Sequence, residues 1–298
     1  MTVLLKSIVQ IPDGNLVCYA IPLWIVLFAV TVYHMRNKGT MGFLMAFGEI
    51  IAMLLIFVFF YEVTMPGVFV WLGACFVIVL YVLKKDWFGC DKRWGFAFLA
   101  CPIMLLAFII GHPHRIERLK FLFAPDAELG GYAYIPAQIY DILQNASLIG
   151  AGNLNLSYVV EHLYNANVVH TNYILTAALS HWGWISVLLI IACYVCLFVF
   201  CAQASFKVKS QMGKLVMLSI TTGWILQVVN YLIINFTTLQ MSTYPLLFVQ
   251  GTWMQMINLF LLGILLSVYK TGAVQKDTES VIANKSAVSE KESKFFYG

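Results

Sequence analysis

The least apolar long stretch of the chain lies between His112 and Trp184. It reads HPHRIERLKFLFAPDAELGGYAYIPAQIYDILQNASLIGAGNLNL over 112–156 and VVHTNYILTAALSHWGW over 168–184. Strongly apolar runs precede and follow it. Polar groups held beside a bilayer are costly and are usually retained for a function. The stretch therefore predicts one long loop, 112–183, between membrane spans, and we expect function to reside there.

The remainder has the composition of an integral membrane protein. Hydrophobic residues make up 61% of the 298 residues, charged residues only 11%, and the mean hydropathy is +0.83. Soluble domains carry about twice that share of charge. We expect an all-α polytopic domain over 1–270 and a disordered cytoplasmic tail over 271–298. Apolar runs close to the roughly 20 residues that cross a bilayer predict seven helical spans, at about 15–34, 42–61, 66–83, 94–111, 184–205, 214–236 and 245–269.

Basic residues predict the orientation. Of the 18 Lys and Arg residues, 14 lie in the loops at 35–41, 84–93 and 206–214 or in the tail from 270. Because basic loops stay in the cytoplasm, the C-terminus is expected inside, and the N-terminus and the long loop outside. The net charge of +4 reflects loops that face anionic lipid and predicts no nucleic-acid partner.

Three of the four remaining basic residues, Arg115, Arg118 and Lys120, cluster in the long loop. Guanidinium groups bind phosphate oxygens in a bidentate manner, and an i, i+3 spacing places both arginines on one side of a helical turn. The cluster favours an anionic ligand outside the membrane. The alternative is that the pair anchors the end of the fourth span at the lipid headgroups.

Other polar residues carry weaker signals. Cys193 and Cys196 in an apolar span are interpreted as small packing residues, and Glu49, within a span, is expected to face the bundle or hydrogen-bond a neighbouring helix. No metal site is predicted, because the external histidines lack tight ligand spacing; they are His112, His114, His162, His170 and His181. Sequons of the type N-x-S/T, which arise often by chance, begin at Asn145, Asn155 and Asn235.

The order of motifs in and after the loop resembles the SEDS family, the FtsW, RodA and SpoVE proteins of bacterial division, elongation and sporulation. The resemblance runs from roughly residue 42 to 269. The matching segments are Arg115–Leu119, Phe123–Asp126, Gly130–Tyr132, Gln144–Asn145, Ile149–Gly152, His170–Ile174, Gln227–Asn230 and Pro245–Val249. Family members have about ten helices, so the resemblance implies that this chain begins near their fourth.

The resemblance implies a membrane glycosyltransferase that polymerises lipid II, the undecaprenyl-diphosphate-linked disaccharide, beside a class B penicillin-binding protein in the bacterial plasma membrane. The cofactor is left open, with a divalent cation as the candidate that the family implies. The residues implied to bind substrate are Arg115, Arg118, Gln144, Gly150, Gly152, His170 and Thr171.

The catalytic position departs from the family. Asn172 stands where the family has its acidic residue, and an amide cannot accept the proton of the acceptor hydroxyl. Losing a positioned general base typically costs about 10² to 10⁴ in rate. Glu161 and Asp141 are the carboxylates best placed to substitute, although each is also explained as a solvated loop charge. Enzymatic activity is therefore left open. Two further interpretations are a non-catalytic partner that regulates a penicillin-binding protein and a transporter of a lipid-linked substrate.

Overall fold

The computed structural model describes residues 16–59, 65–89, 134–150, 173–237, 247 and 252–272. Within these ranges every regular element is a helix, which confirms the predicted all-helical class for this part of the chain. The helices are α1 (Leu16–Met35), α2 (Gly39–Phe59), α3 (Met65–Lys84), α4 (Tyr134–Asn145), α5 (Ile174–Trp182), α6 (Trp184–Lys207), α7 (Gln211–Phe236) and α8 (Thr252–Gly272).

The six long helices coincide with six of the seven predicted spans. The predicted span at 94–111 and the tail beyond Gly272 lie outside the described residues. Four helices, α3, α6, α7 and α8, are long and apolar enough to cross a membrane. Shorter apolar stretches lie within α1 (Ala20–Met35) and α2 (Gly39–Leu55). The last helix begins at Thr252 rather than at 245. Leu247 lies in a turn, and its carbonyl accepts a 2.6 Å hydrogen bond from the Tyr194 hydroxyl.

Helix α7 is the centre of the bundle. It packs against α1, α3, α4, α5, α6 and α8. Glycine lets it approach its largest neighbours closely: a Cβ at Gly223 would lie 3.3 Å from Ile25 of α1, and a Cβ at Gly73 of α3 would lie 2.9 Å from a Leu226 methyl group of α7. Small residues at helix contacts are the usual means of tight packing in membranes.

The basic loops share one end of this bundle. Two contacts show this. Gly73 contacts Leu226, and Gly223 contacts Ile25. In both pairs, each residue lies about three to four helical turns from the end of its helix that adjoins a basic loop. The Lys209 N–H, in the α6–α7 loop, donates to the Gly272 carbonyl at the end of α8 at 2.8 Å. The lysines and arginines that flank these helices therefore lie at the same end of the bundle. Helices α4 and α5 lie at the opposite end.

Two predicted polar features can be placed. Glu49 of α2 is half-buried, and its carboxylate lies within hydrogen-bonding reach of the Thr31 side chain on α1, as predicted. The prediction for Cys193 and Cys196 was wrong: both thiols are exposed on the outward face of α6 rather than packed in the bundle. Only 11% of the apolar window of α6 is buried, so that helix is attached along a narrow face.

Candidate functional site

The described part of the predicted loop forms two short helices that pack against the bundle. Ile139 of α4, Tyr173 before α5 and Ile234 of α7 form one buried contact. A second buried contact joins Ile142 of α4, Leu179 of α5 and Val187 of α6. Helix α4 has apolar residues on one face and polar residues on the other, so its apolar face is buried here and its polar face is left outward. The sequence predicted a loop at this position and did not predict these helices.

The outward face of α4 carries two predicted site residues, Asp141 and Gln144, both exposed. The Asn145 side-chain amide donates to the Asp141 carboxylate at 2.8 Å and to the Asp141 carbonyl at 3.0 Å. In the part of the chain that the structure describes, the side-chain partner of the Asp141 carboxylate is Asn145 of its own helix. Gln144 is one turn from Asp141 and is available to a ligand at the surface.

The turn after α4 is hydrogen-bonded to the junction between α5 and α6. The N–H of Trp184 donates to the Ser147 carbonyl at 3.1 Å, and the N–H of Gly150 donates to the Trp182 carbonyl at 3.1 Å. The Ser147 hydroxyl closes the turn by donating to the carbonyl of Gly150 at 2.6 Å. The predicted site residue Gly150 is thereby joined to the end of α5.

Two glycines are required by this junction for different reasons. Gly150 has φ +76°, in the left-handed region, and a Cβ there would meet open space. Gly183 has φ +80°, and a Cβ would lie 2.7 Å from the Ser147 carbonyl oxygen and 2.8 Å from that of Leu148. The first glycine is needed for conformation alone. The second is needed for conformation and for space.

The N-terminus of α5 is capped by side chains of α7. Helix N-termini leave N–H groups without partners inside the helix, and Tyr173 makes no side-chain cap bond. The Tyr231 hydroxyl accepts from the Ile174 N–H at 3.0 Å, and Asn235 Oδ1 accepts from the Thr176 N–H at 3.3 Å. The Thr176 hydroxyl donates to Asn235 Oδ1 at 3.1 Å. The cap therefore comes from a helix more than 50 residues further along the chain.

The fold is similar to that of a chain from a peptidoglycan synthase complex. That solved structure is described as the structural coordination of polymerization and crosslinking by a peptidoglycan synthase complex, and the two chains share a TM-score of 0.62 at 14% sequence identity. The match covers 87% of this chain and 70% of that chain. No protein-family model matches the sequence, and no curated protein matches it. The likeness is one of fold.

The cap on α5 was not predicted from the sequence, although a signal for it exists. Tyr231 and Asn235 are polar residues four positions apart in an apolar span, so they share a helix face. Asn235 was noted only as the start of a sequon. It is fully buried, and its amide donates to the Tyr231 carbonyl at 3.0 Å, so it is not open to glycosylation.

Tyr173 is the described residue that follows Asn172 in the sequence. It is 4% exposed, and burial raises the pKa of its phenol to about 12. At neutral pH the group is therefore a neutral phenol. Tyr173 packs against Ile139 and Ile234, and a phenol that stays protonated at neutral pH does not serve as a general base.

Asp141, Gln144 and Gly150 are the predicted site residues that the structure places. The others lie outside the described residues: Arg115, Arg118, Gly152, Glu161, His170, Thr171 and Asn172. Among the described residues, no three His, Cys, Asp or Glu side chains come close enough to hold a metal ion.

Proposed function

We propose that the chain is a SEDS-like membrane protein of bacterial peptidoglycan assembly that binds lipid II at its extracytoplasmic end. The observation that carries the proposal is the fold similarity to a chain of a peptidoglycan synthase complex. The order of the loop motifs supports the same family. A class B penicillin-binding protein is the proposed partner, and the plasma membrane is the proposed location, with the N-terminus outside.

The described geometry supports a ligand site at this end of the molecule. Gly150 donates a hydrogen bond to Trp182 at the end of α5, and exposed Gln144 lies in the last turn of α4, just before the 147–150 turn. The first residue of α5 follows 170–172 in sequence by two positions. Arg115 and Arg118 belong to the same loop and supply the positive charge that a diphosphate requires. Polar groups, backbone N–H groups and guanidinium groups are the usual components of a phosphate-sugar site.

We further propose that the chain binds lipid II without polymerising it efficiently. The amide of Asn172 cannot take a proton, Asp141 is exposed and bonded to Asn145, and Tyr173 is neutral. Glu161 is the remaining candidate for a base. Asp141, Asn172 and Tyr173 support a non-catalytic role beside the partner enzyme.

Transport of a lipid-linked substrate is the less favoured function. A cavity between α1, α3, α7 and α8 is lined by Pro22, Val70, Trp224, Gln227 and their neighbours and measures about 10 Å³. That volume holds roughly one water molecule. This cavity, in the part of the bundle that the structure describes, is too small for a lipid-linked disaccharide.

Lipid II binding by the full chain in lipid nanodiscs tests the proposed function. Each charge-assisted contact to a diphosphate is worth roughly 1.5–3 kcal/mol, so the double change Arg115→Gln with Arg118→Gln should weaken binding at least tenfold. The matched control is Lys207→Gln with Lys209→Gln, which removes two charges from the opposite end. Equal affinities for both double variants would assign the arginine pair to headgroup anchoring.

Polymerisation of lipid II tests the catalytic assignment. The unaltered chain should form few or no glycan strands, and Asn172→Asp is the substitution expected to raise the yield, because it restores a carboxylate of nearly the same size. Efficient polymerisation by the unaltered chain would contradict the non-catalytic role. Glu161→Gln and Asp141→Asn would then be compared, and the variant that loses activity would identify the base.

A further inference from the structure

We infer that the basic ends of α1 and α3 together bind the phosphodiester headgroup of an anionic phospholipid. The basic residues of the site lie in two turns, one after α1 and one at the end of α3, and are Arg36, Lys38, Lys84 and Lys85. Between the turns lies an aromatic cluster, which consists of Tyr33, Tyr81 and Trp87. The site is at the end of the bundle opposite α4 and α5, so it is distinct from the proposed lipid II site.

The turn after α3 folds Trp87 back onto its own helix. The Trp87 N–H donates to the Val82 carbonyl at 3.4 Å, and the Asp86 N–H donates to the Leu83 carbonyl at 3.2 Å. With Asp86 at φ +57°, these two bonds form a Schellman motif, in which the residue after the left-handed position packs on the last helical turn. The Trp87 ring accordingly meets the Tyr81 ring edge to face, with the centroids 6.2 Å apart.

The same indole joins α3 to α1. The Trp87 ring also meets the Tyr33 ring of α1 edge to face, with the centroids 5.9 Å apart. A Cβ at Gly39, in the turn after α1, would lie 3.9 Å from the carbonyl oxygen of Phe88. The two basic turns are therefore neighbours in space, and the aromatic cluster packs against the apolar core of the bundle.

Arg36 is oriented by stacking. Its guanidinium carbon lies 4.1 Å from the centre of the Tyr33 ring, and both side chains are partly buried. Guanidinium N–H groups lie in the plane of the group, so stacking on a ring fixes the directions in which they point. A planar set of donors in a fixed orientation matches the bidentate geometry by which arginine binds phosphate oxygens.

The surface of α3 next to the basic turn favours a lipid over a free phosphate. Phe76 and Leu80, 38% and 48% exposed, precede Lys84 at intervals of four residues, so the three share one helix face. A phospholipid fits this face, with an acyl chain along the two apolar side chains and the phosphate at the lysine. Tyrosine and tryptophan are typical of the depth of lipid headgroups, and basic pockets between membrane helices bind anionic headgroups.

Phosphatidylglycerol binding tests the site. The full chain is purified in detergent, and the dissociation constants of phosphatidylglycerol and phosphatidylcholine are measured by native mass spectrometry. The parent should prefer phosphatidylglycerol. Lys84→Gln with Lys85→Gln should weaken that binding at least tenfold, because each basic residue beside an anionic headgroup contributes about fivefold. Phosphatidylcholine binding should stay the same.

The matched control is Lys207→Gln with Lys209→Gln. It removes two charges from the same end of the bundle, beside Phe206, which is 82% exposed and so does not form a packed aromatic cluster. We expect phosphatidylglycerol affinity close to that of the parent. Equal losses in the two double variants would show that the lipid responds to net charge alone and would overturn the site.

Two substitutions in the turn test its geometry. Trp87→Leu keeps every charge but removes the ring that joins α1 to α3, so phosphatidylglycerol binding should weaken severalfold. Asp86→Gly removes the acidic group of the turn, and glycine suits the φ of +57°, so binding should strengthen about fivefold in a chain that still folds. Unchanged affinity in Asp86→Gly, or in a folded Trp87→Leu chain, would contradict the inference.

Inorganic phosphate distinguishes a lipid headgroup from a free anion. Sodium phosphate at millimolar concentration should not release bound phosphatidylglycerol, because phosphate alone makes no contact along Phe76 and Leu80. Leu80→Asn, which keeps the basic residues, should weaken phosphatidylglycerol binding for the same reason. Release of the lipid by phosphate, or full affinity in Leu80→Asn, would assign the basic turns to a free anion and contradict the lipid site.

Discussion

At the scale of single residues, Gly183 is the position on which the α5–α6 junction depends. Gly183 has a φ of +80°, and a Cβ there would lie within 2.8 Å of two carbonyl oxygens. Gly150 shares the positive φ, but a Cβ there would meet open space. A side chain in the left-handed region costs roughly 1–2 kcal/mol. The extra crowding at Gly183 involves backbone atoms, which cannot move aside as a flexible side chain can.

Gly183→Ala should therefore lower the free energy of unfolding by more than Gly150→Ala. We expect about 1 kcal/mol for Gly150→Ala and at least about twice that for Gly183→Ala, measured by denaturation with SDS in mixed micelles. Gly263→Ala is the control, since its Cβ would meet nothing within 4 Å in the interior of α8 and should be neutral or stabilising. Equal losses at 150 and 183 would show that the junction relaxes.

At the scale of elements, α7 and α8 are joined by a buried bond from the Trp224 indole N–H to Asn258 Oδ1 at 3.1 Å. Both side chains are at most 1% exposed. Hydrogen bonds between membrane helices contribute about 0.6 kcal/mol on average and up to about 1.7. The Trp224–Asn258 bond is the kind of contact that fixes the rotation of α8 against α7 more than it adds to stability.

A double-mutant cycle measures that bond. Trp224→Phe and Asn258→Leu should each destabilise the chain, and their coupling energy should be about 0.6–1.7 kcal/mol. The control cycle pairs Trp224→Phe with Trp182→Phe, whose side chain is 68% exposed at the far end of α5. A coupling near zero in the first cycle would mean that Asn258 finds another donor when Trp224 is removed.

The elements also show where sequence reasoning succeeds. An apolar run of about 20 residues specifies a helix by itself, because no other local structure satisfies its backbone in lipid, and six predicted runs coincide with helices. The cap of α5 depends instead on contacts between residues 57 and 59 positions apart. Spacing along the chain carries no information about such a pair. From the sequence, Asn235 was therefore interpreted only as the start of a sequon, and the residues of α4 and α5 were predicted to be loop.

The candidate site was predictable to a lesser degree. Gln144 and Gly150 were singled out from motif order. The structure joins Gly150 to α5 through a backbone hydrogen bond and places Gln144 on the exposed face of α4. Position 150 requires glycine because its φ is +76°. That angle is a property of the folded turn and cannot be read from the amino-acid sequence. Tyr231 lies in a span with no loop motif, so its role follows only from packing.

At the scale of the whole molecule, the basic loops at one end and α4 with α5 at the other predict the orientation. Gln144 and Lys209 are both exposed and lie at opposite ends. In a chain without native thiols, a cysteine at 144 should react with a membrane-impermeant maleimide in intact cells. A cysteine at 209 should react only after permeabilisation, because basic loops remain in the cytoplasm. The reverse pattern would contradict the orientation.

The central place of α7 has a consequence for how the protein is made. Helices α1 and α3 pack chiefly on α7, yet about 150 residues separate the end of α3 from the end of α7. At the usual pace of translation that distance takes roughly 8–30 s. During this interval α1–α3 have no α7 to pack on. The surface of α3 around Gly73, which later contacts Leu226 of α7, is then exposed to lipid or to an insertion chaperone. Synthesis halted before residue 211 should leave α1–α3 without their central partner, and such a nascent chain should be a substrate for membrane quality-control proteases.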